Sequence, residues 1–228
     1  MIIPCIDLQN GMAVQLVRGR NRRLTVRDVF GLLDRFRGYR HLHIIDLDAA
    51  LRRGSNGRLI RDLCSRARKI GMKVRVGGGI RTVTKARRII AWGATQVIIG
   101  SAAFVGGKIN RGFLRRLRSS IGRTRIIIAL DTDDGQIVVR GWRVKLSVRP
   151  ADVLPDLEEF AAGFLCTYVD NEGTLSGTNL EWFRSLRRTT RLPVIAAGGI
   201  RSHAEARALS RMNMDAAVGM ALYLNKLR

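Results

Sequence analysis

Short apolar runs alternate with amphipathic stretches along the whole chain. The runs at residues 2–7, 41–47, 73–76, 96–99, 125–130, 164–169, 194–197 and 216–218 are nearly continuous in apolar residues, the pattern of strands covered on both faces. Between them the period changes. Val26, Val29, Leu32, Leu33 and Phe36 recur at helical spacing and predict a first helix closing near Gly38. Gly54, Ser55 and Asn56 read as the cap of a second helix running through Arg68. Further helices are expected near residues 86–92, 109–117, 150–161 (opened by Pro150), 180–187 and 204–212. Residues 11–17 fit a hairpin extension of the first strand, and the polar residues 19–24 a mobile loop. Asp133-Asp134-Gly135 signals a turn between two apolar runs, the second leading to Arg140-Gly141-Trp142. Eight strands alternating with helices predict an α/β fold, a (β/α)8 TIM barrel forming one domain over residues 1–228.

The strand ends carry the candidate chemistry. Gly77-Gly78-Gly79-Ile80-Arg81 follows the third run, and Ile99-Gly100-Ser101-Ala102 closes the fourth. Both recur, as Ala197-Gly198-Gly199-Ile200-Arg201 and Val218-Gly219-Met220-Ala221, at offsets of 120 and 119 residues. Asp7, ending the first run, is echoed by Asp131 at an offset of 124. Such self-similarity predicts two half-barrel repeats, about 1–122 and 123–228. Glycines between a strand and a helix let backbone N–H groups approach a phosphate. Two such cradles facing each other across two acids predict a substrate with a phosphate at each end that reacts in its middle. In a barrel the carboxyl ends of all strands share one rim, which would bring Asp7, Asp46, Asp131, Thr167 and the four glycine turns together. Arg81 and Arg201 fit either phosphate binding or surface support, with Arg81 the better placed ligand. Trp142 fits either loop packing or a surface for a base or sugar ring, and Trp92 and Trp182 fit outer-layer packing.

Composition narrows the picture. No apolar run reaches membrane-spanning length and no signal peptide is evident, so a cytoplasmic protein is expected. Cys5, Cys64 and Cys166 are dispersed and read as reduced thiols. Neither they nor His41, His43 and His203 have metal-ligand spacing, and the Asp46/Asp48 pair reads as structural or ligand-orienting, so no metal is expected. The net charge of +23 is the outlier. Its arginine clusters, Arg18/Arg20/Arg22/Arg23, Arg115/Arg116/Arg118 and Arg187/Arg188/Arg191, are scattered, and aromatic residues are only 6%, too few for interleaved stacking platforms. A solvated basic exterior is expected rather than a nucleic-acid face.

Taken together, Ile3-Pro4-Cys5-Ile6-Asp7-Leu8, Leu42-His43-Ile44-Ile45-Asp46-Leu47-Asp48, Val76 to Arg81, Ile99 to Ala102, Ala129-Leu130-Asp131, Gly141-Trp142, Thr167, Gly173-Thr174-Leu175-Ser176-Gly177 and Ala197 to Ile200 resemble a known family. It is the phosphoribosylformimino-aminoimidazole-carboxamide ribotide isomerases of histidine biosynthesis. Asp48-Ala49-Ala50, Gly54-Ser55-Asn56 and Arg140-Gly141-Trp142 also resemble the bifunctional phosphoribosyl isomerase, which in addition acts on phosphoribosylanthranilate. The resemblance implies an Amadori rearrangement, ProFAR to PRFAR, using one acid, one base and no cofactor. It implies Asp7 as general base and, as acid, the carboxylate before Gly173-Thr174. That position holds Glu172 where the family usually has aspartate, and Asp131 with Thr167 could share the proton handling. Phosphate and substrate contacts would fall to Gly78, Gly79, Arg81, Gly100, Ser101, Trp142, Gly173, Thr174, Gly198, Gly199, Gly219 and Met220. The segment 19–24 is shorter than the family's, and little chain follows residue 218 for a final helix. The sister cyclase is disfavoured, since Gln15, Arg18 and Arg20 stand where its first-loop lysine is expected. The small bis-phosphate is the expected partner of a monomer; a weakened homologue with a nucleic-acid-binding surface is the alternative of another class.

Overall fold

The computed structural model describes residues 1–19 and 21–227; Arg20 and Arg228 lie outside them. Strands Ile2–Gln9, His41–Asp46, Lys73–Gly77, Gln96–Ile99, Ile126–Asp133, Gly163–Tyr168, Val194–Ala197 and Met214–Val218 run parallel, each beside the next. The last pairs with the first, Ile2 beside Ala216, and closes an eight-stranded barrel. Alternation along the strands explains their apolar runs. Ile3, Ile98, Ile127, Leu165, Ile195 and Ala217 fill the interior with Cys5, Ile45, Ala129 and Ala197 around them. The opposite parity, including Ile6, Leu8, Ile44, Val76, Val97 and Ile128, packs under the helical layer.

The helices of that layer are Val29–Arg35, Gly57–Lys69, Val83–Ala91, Arg111–Ile121, Pro150–Leu157, Leu180–Arg187 and His203–Arg211, with a single turn, Met220–Tyr223, after the last strand. Their starts obey side-chain capping: Asp28, Thr82, Asn110, Asn179 and Ser202 each accept a backbone N–H of the first turn. Asn110 thereby shifts the fourth helix two residues past the expected start, leaving Lys108–Ile109 to pair with Phe104–Val105. The helix opened by Pro150 ends at Leu157 and continues only as a 3-10 turn, Glu158–Phe160.

Two expectations are corrected. Segment 19–24 is not a loose loop: Asn21–Val26 is a strand paired antiparallel with Met12–Val17, which pairs antiparallel with the first barrel strand. Paired backbone outweighs the polar side chains, and Arg22 donates to Gln9 Oε1 at 2.7 Å. Val26 therefore belongs to a strand rather than to the first helix. Nor does the Asn56 side chain cap the second helix. It donates to Asp46 Oδ1 at 2.8 Å and Asp48 Oδ2 at 2.9 Å, while Oδ1 accepts the Gly11 N–H at 2.9 Å.

Asn56 is the hub of this buried network. Asp46 caps the short helix Leu47–Ala50 through the Ala49 N–H, and Asp48 accepts the Asn10 N–H at 2.6 Å. The pair thus orients the first and second strand ends, the structural role expected of it. Asn56→Ala would leave two buried carboxylates short of donors, and a loss of about 2–4 kcal/mol is expected. The midpoint of urea unfolding should fall accordingly; an unchanged midpoint would show that other donors or water hold these acids.

Candidate active site

Strand parity decides which side chains reach the cavity at the carboxyl rim. Ile3, Cys5 and Asp7 point inward in turn, as do Ile127, Ala129 and Asp131, and Leu165 with Thr167. Asp131 lies beside Thr167 in register. Asp7, Asp131, Thr167 and Glu172 line one cavity with Gly78, Gly79, Arg81, Gly100, Ser101, Trp142, Gly173, Gly198, Gly199, Gly219 and Met220. Thr174 is not on that wall. Its hydroxyl donates to the Asn171 carbonyl and meets Ser176 Oγ at 2.6 Å, which shapes the loop rather than the cavity.

Glu172 enters the site because two segments brace its loop. The Arg18 N–H donates to the Glu172 carbonyl at 2.9 Å, and Arg18 Nε donates to the Asp170 carbonyl at 3.1 Å. Gly173 packs so closely on the Leu16 carbonyl that a Cβ would overlap it. The hairpin after the first strand therefore carries the carboxyl that faces Asp7, a dependence no local pattern reveals.

The three acids are electrostatically unequal. Asp131 is raised by burial, opposed by hydrogen bonds from Thr167 and from the Trp142 indole, whose Nε1–H reaches Oδ2 at 2.8 Å. Asp7 is pushed up to about 7 by burial and then by the charge of Asp131. Glu172 is pushed up to about 8 by burial, then Asp7, then Asp131. Near neutral pH a proton taken up by the cluster goes first to Glu172, which feels both other charges, while Asp131 has two donors holding its anion.

A stability consequence follows. An unfolded glutamate titrates near 4.3, whereas Glu172 keeps its proton to about 8. Above the unfolded value the folded state holds a proton that the unfolded chain has released, so stability falls as pH rises from about 4 to about 8. Glu172→Gln removes this penalty. Since the side chain is partly open to the cavity, a gain of about 1–2 kcal/mol at pH 8 and none at pH 4 is expected. Thermal melts at both pH values check it, and an equal or lower melting point at pH 8 would contradict the burial-driven shift.

The glycine turns share conformations across the chain. Gly78 and Gly198 have φ of +95° and +102° and lie where a Cβ would strike the Asp46 and Tyr168 carbonyls. Gly100 (φ −97°, ψ −110°) and Gly219 (φ −106°, ψ −95°) match in the same way. Arg81 reaches the Ala49 and Ala50 carbonyls at 3.0 and 2.7 Å, so the guanidinium closes the short helix while lining the cavity. Arg201 is tied to Glu205 and does not line it. The Arg140 N–H donates to Ser101 Oγ at 2.7 Å, which with the Trp142 bond folds the tip after the fifth strand over the rim. Trp142 is therefore neither free packing nor an idle stacking surface: it meets a carboxylate. Among the described residues no group of three His, Cys, Asp or Glu is placed to hold a metal ion, and no helix is long and apolar enough to cross a membrane.

The profile of the histidine biosynthesis protein family matches residues 1–228. The chain belongs to this family. A family member from Methanocaldococcus jannaschii is 33% identical over 228 residues, covering 98% of this chain and 93% of its own length. It is named 1-(5-phosphoribosyl)-5-((5-phosphoribosylamino)methylideneamino)imidazole-4-carboxamide isomerase. Isomerases of the same name from Methanosphaera stadtmanae and Prochlorococcus marinus are 33% and 30% identical, covering 98% and 100% of this chain and 94% and 90% of their own lengths. Sequence reasoning missed two cavity residues of this family member, Gln15 and Cys5. Strand alternation could have found Cys5, two residues before Asp7; Gln15 lies on a bulged strand and breaks the alternation.

Proposed function

We propose that the chain catalyses the Amadori rearrangement of its named relatives, opening the ribosyl ring of a bis-phosphate aminoaldose and converting it to the aminoketose, ProFAR to PRFAR. The observation that carries this reading is the order of the acids: Glu172 holds its proton to about 8 while Asp7 has lost its own above about 7. Two carboxyl groups whose environments push them apart in this way are suited to act as acid and base together.

Glu172 gives its proton to the ring oxygen as the C1–O bond breaks, and the nitrogen lone pair forms the C1=N iminium. The Asp7 carboxylate then takes the C2 proton, and the C2–H electrons become the C1=C2 bond as the C1=N electrons return to nitrogen. Proton return to C1 and loss from the C2 hydroxyl complete the aminoketose. Oxidation at C2 balances reduction at C1, so the rearrangement calls for no external redox partner. Asp131, held ionised by Thr167 and Trp142, keeps negative charge beside the developing cation. The turns at Gly78, Gly79, Gly100 and Ser101, and at Gly198, Gly199 and Gly219, orient the two phosphates so that the reacting carbons meet the acids. The paired cradles further support two half-barrel repeats within one domain, and a monomer that works in the cytoplasm, since every group in the scheme comes from one chain.

The test is turnover of ProFAR by the purified protein, followed by absorbance, with phosphoribosylanthranilate in a parallel fluorescence assay. Conversion of ProFAR supports the reading. No conversion by correctly folded protein would overturn it, and comparable turnover of both compounds would make the enzyme bifunctional.

A further inference from the structure

Gln15 has no part in the scheme above, yet its surroundings are built around it. The side chain is only 3% exposed, and its amide Nε2 has no hydrogen-bond partner. Buried donors are nearly always paired, so an orphan at the wall of a binding cavity calls for a reason. A β-bulge falls between Gln15 and Leu16, where the strand Met12–Val17 pairs with its neighbour. Bulges next to binding sites re-aim side chains, and here Val14 and Gln15 are both buried although they are consecutive. The amide lies against Gly219, where a Cβ would collide with Oε1 and crowd Nε2 at 3.1 Å. The Tyr223 hydroxyl flanks it and donates to the Cys5 carbonyl at 3.1 Å. Gln15 and Gly219 both line the cavity, and Val14, the residue before Gln15, pairs with Asp7.

We propose that Gln15 is a positioning residue: its amide N–H group donates to the phosphate seated at the Gly198, Gly199 and Gly219 turns and fixes that end of the substrate relative to Asp7. The proposal rests on the bis-phosphate reading and adds to it a specific donor outside the glycine turns. It also gives a reason for a neutral donor here. A cation at this position would favour the Asp7 anion and pull its titration down, away from the value near 7 that suits a base at neutral pH. An amide binds the phosphate and leaves Asp7 to its acidic neighbours.

Gln15→Met keeps the length of the side chain and removes both polar atoms. It should raise KM and the inhibition constant of sulfate about tenfold each while kcat stays within about twofold, the signature of lost uniform binding. Gln15→Lys should recover sulfate affinity and move the acid limb of kcat/KM to lower pH, a change that a merely structural residue would not produce. In crystals soaked in sulfate, the parent should show density beside both Gly79/Ser101 and Gly199/Gly219, and Gln15→Met should lose only the second. The crystal readout needs no turnover, so failure of the isomerase reading and failure of this proposal are distinguishable. Sulfate affinity and KM at parental values in Gln15→Met would overturn the proposal, as would a fall in kcat with KM unmoved. A lowered melting point with unchanged sulfate occupancy would overturn it too, assigning Gln15 to the fold.

Discussion

Asp7→Asn is expected to lower turnover by at least about 10²-fold, the scale of a positioned general base, while substrate affinity changes little. The amide keeps the shape of the carboxylate and cannot take the C2 proton. Asp7 sits on a barrel strand, paired through its backbone on both sides, so the change should leave the fold intact. Because Asp7 is held up to about 7 by burial and by Asp131, the parent enzyme should lose kcat/KM as pH falls through that value, when the base becomes protonated. The variant should lack that limb. Removing the Asp7 charge also relieves Glu172, whose titration is raised by it, so whatever activity remains should fade at a lower pH on the basic side than in the parent. Steady-state kinetics from pH 5.5 to 9 on about half-unit steps spans both titrations. Retention of more than about a tenth of parental turnover would remove Asp7 from the base role.

Glu172→Gln is expected to lower turnover by about 10²–10⁴-fold and to abolish the basic limb, because no proton remains to open the ring. The parent's basic limb should lie near 8, where Glu172 ionises. The acid limb should persist near 7 in whatever activity is left, since burial and Asp131 set Asp7. Glu172→Asp returns the family's usual side chain and should stay within about tenfold of the parent with both limbs present. The backbone at this point is held by Arg18 and by the contact of Gly173 with Leu16, so the shorter carboxyl must reach from a fixed origin. Near-parental turnover in Glu172→Gln would instead move the acid role to Asp131 with Thr167. The same variant should be more stable than the parent at pH 8, and a loss of activity combined with a gain in melting point would separate a chemical role from damage to the fold.

The alternation of apolar runs with helical periodicity determined the barrel, because strands covered on both faces must be apolar throughout and helices covering a sheet must carry one apolar face. The recurrence of Gly78, Gly79 and Gly100 as Gly198, Gly199 and Gly219, and of Asp7 as Asp131, was legible for a related reason: backbone conformations that exclude a Cβ leave glycine in the sequence wherever they occur. The fold decided what depends on a distant partner. Asn21–Val26 is a strand only because Met12–Val17 offers it a ladder, and the Asn56 amide turns from capping to Asp46 and Asp48 because those buried carboxylates need donors. Gln15 gained its place through a bulge, a one-residue break in alternation that no periodicity records. Above all, the sequence by itself supplied three candidate acids without ranking them. Their order arises from burial and from repulsion among carboxylates carried on separate strands and a loop, and Coulomb energies depend on separation in space, which exists only once the barrel has closed.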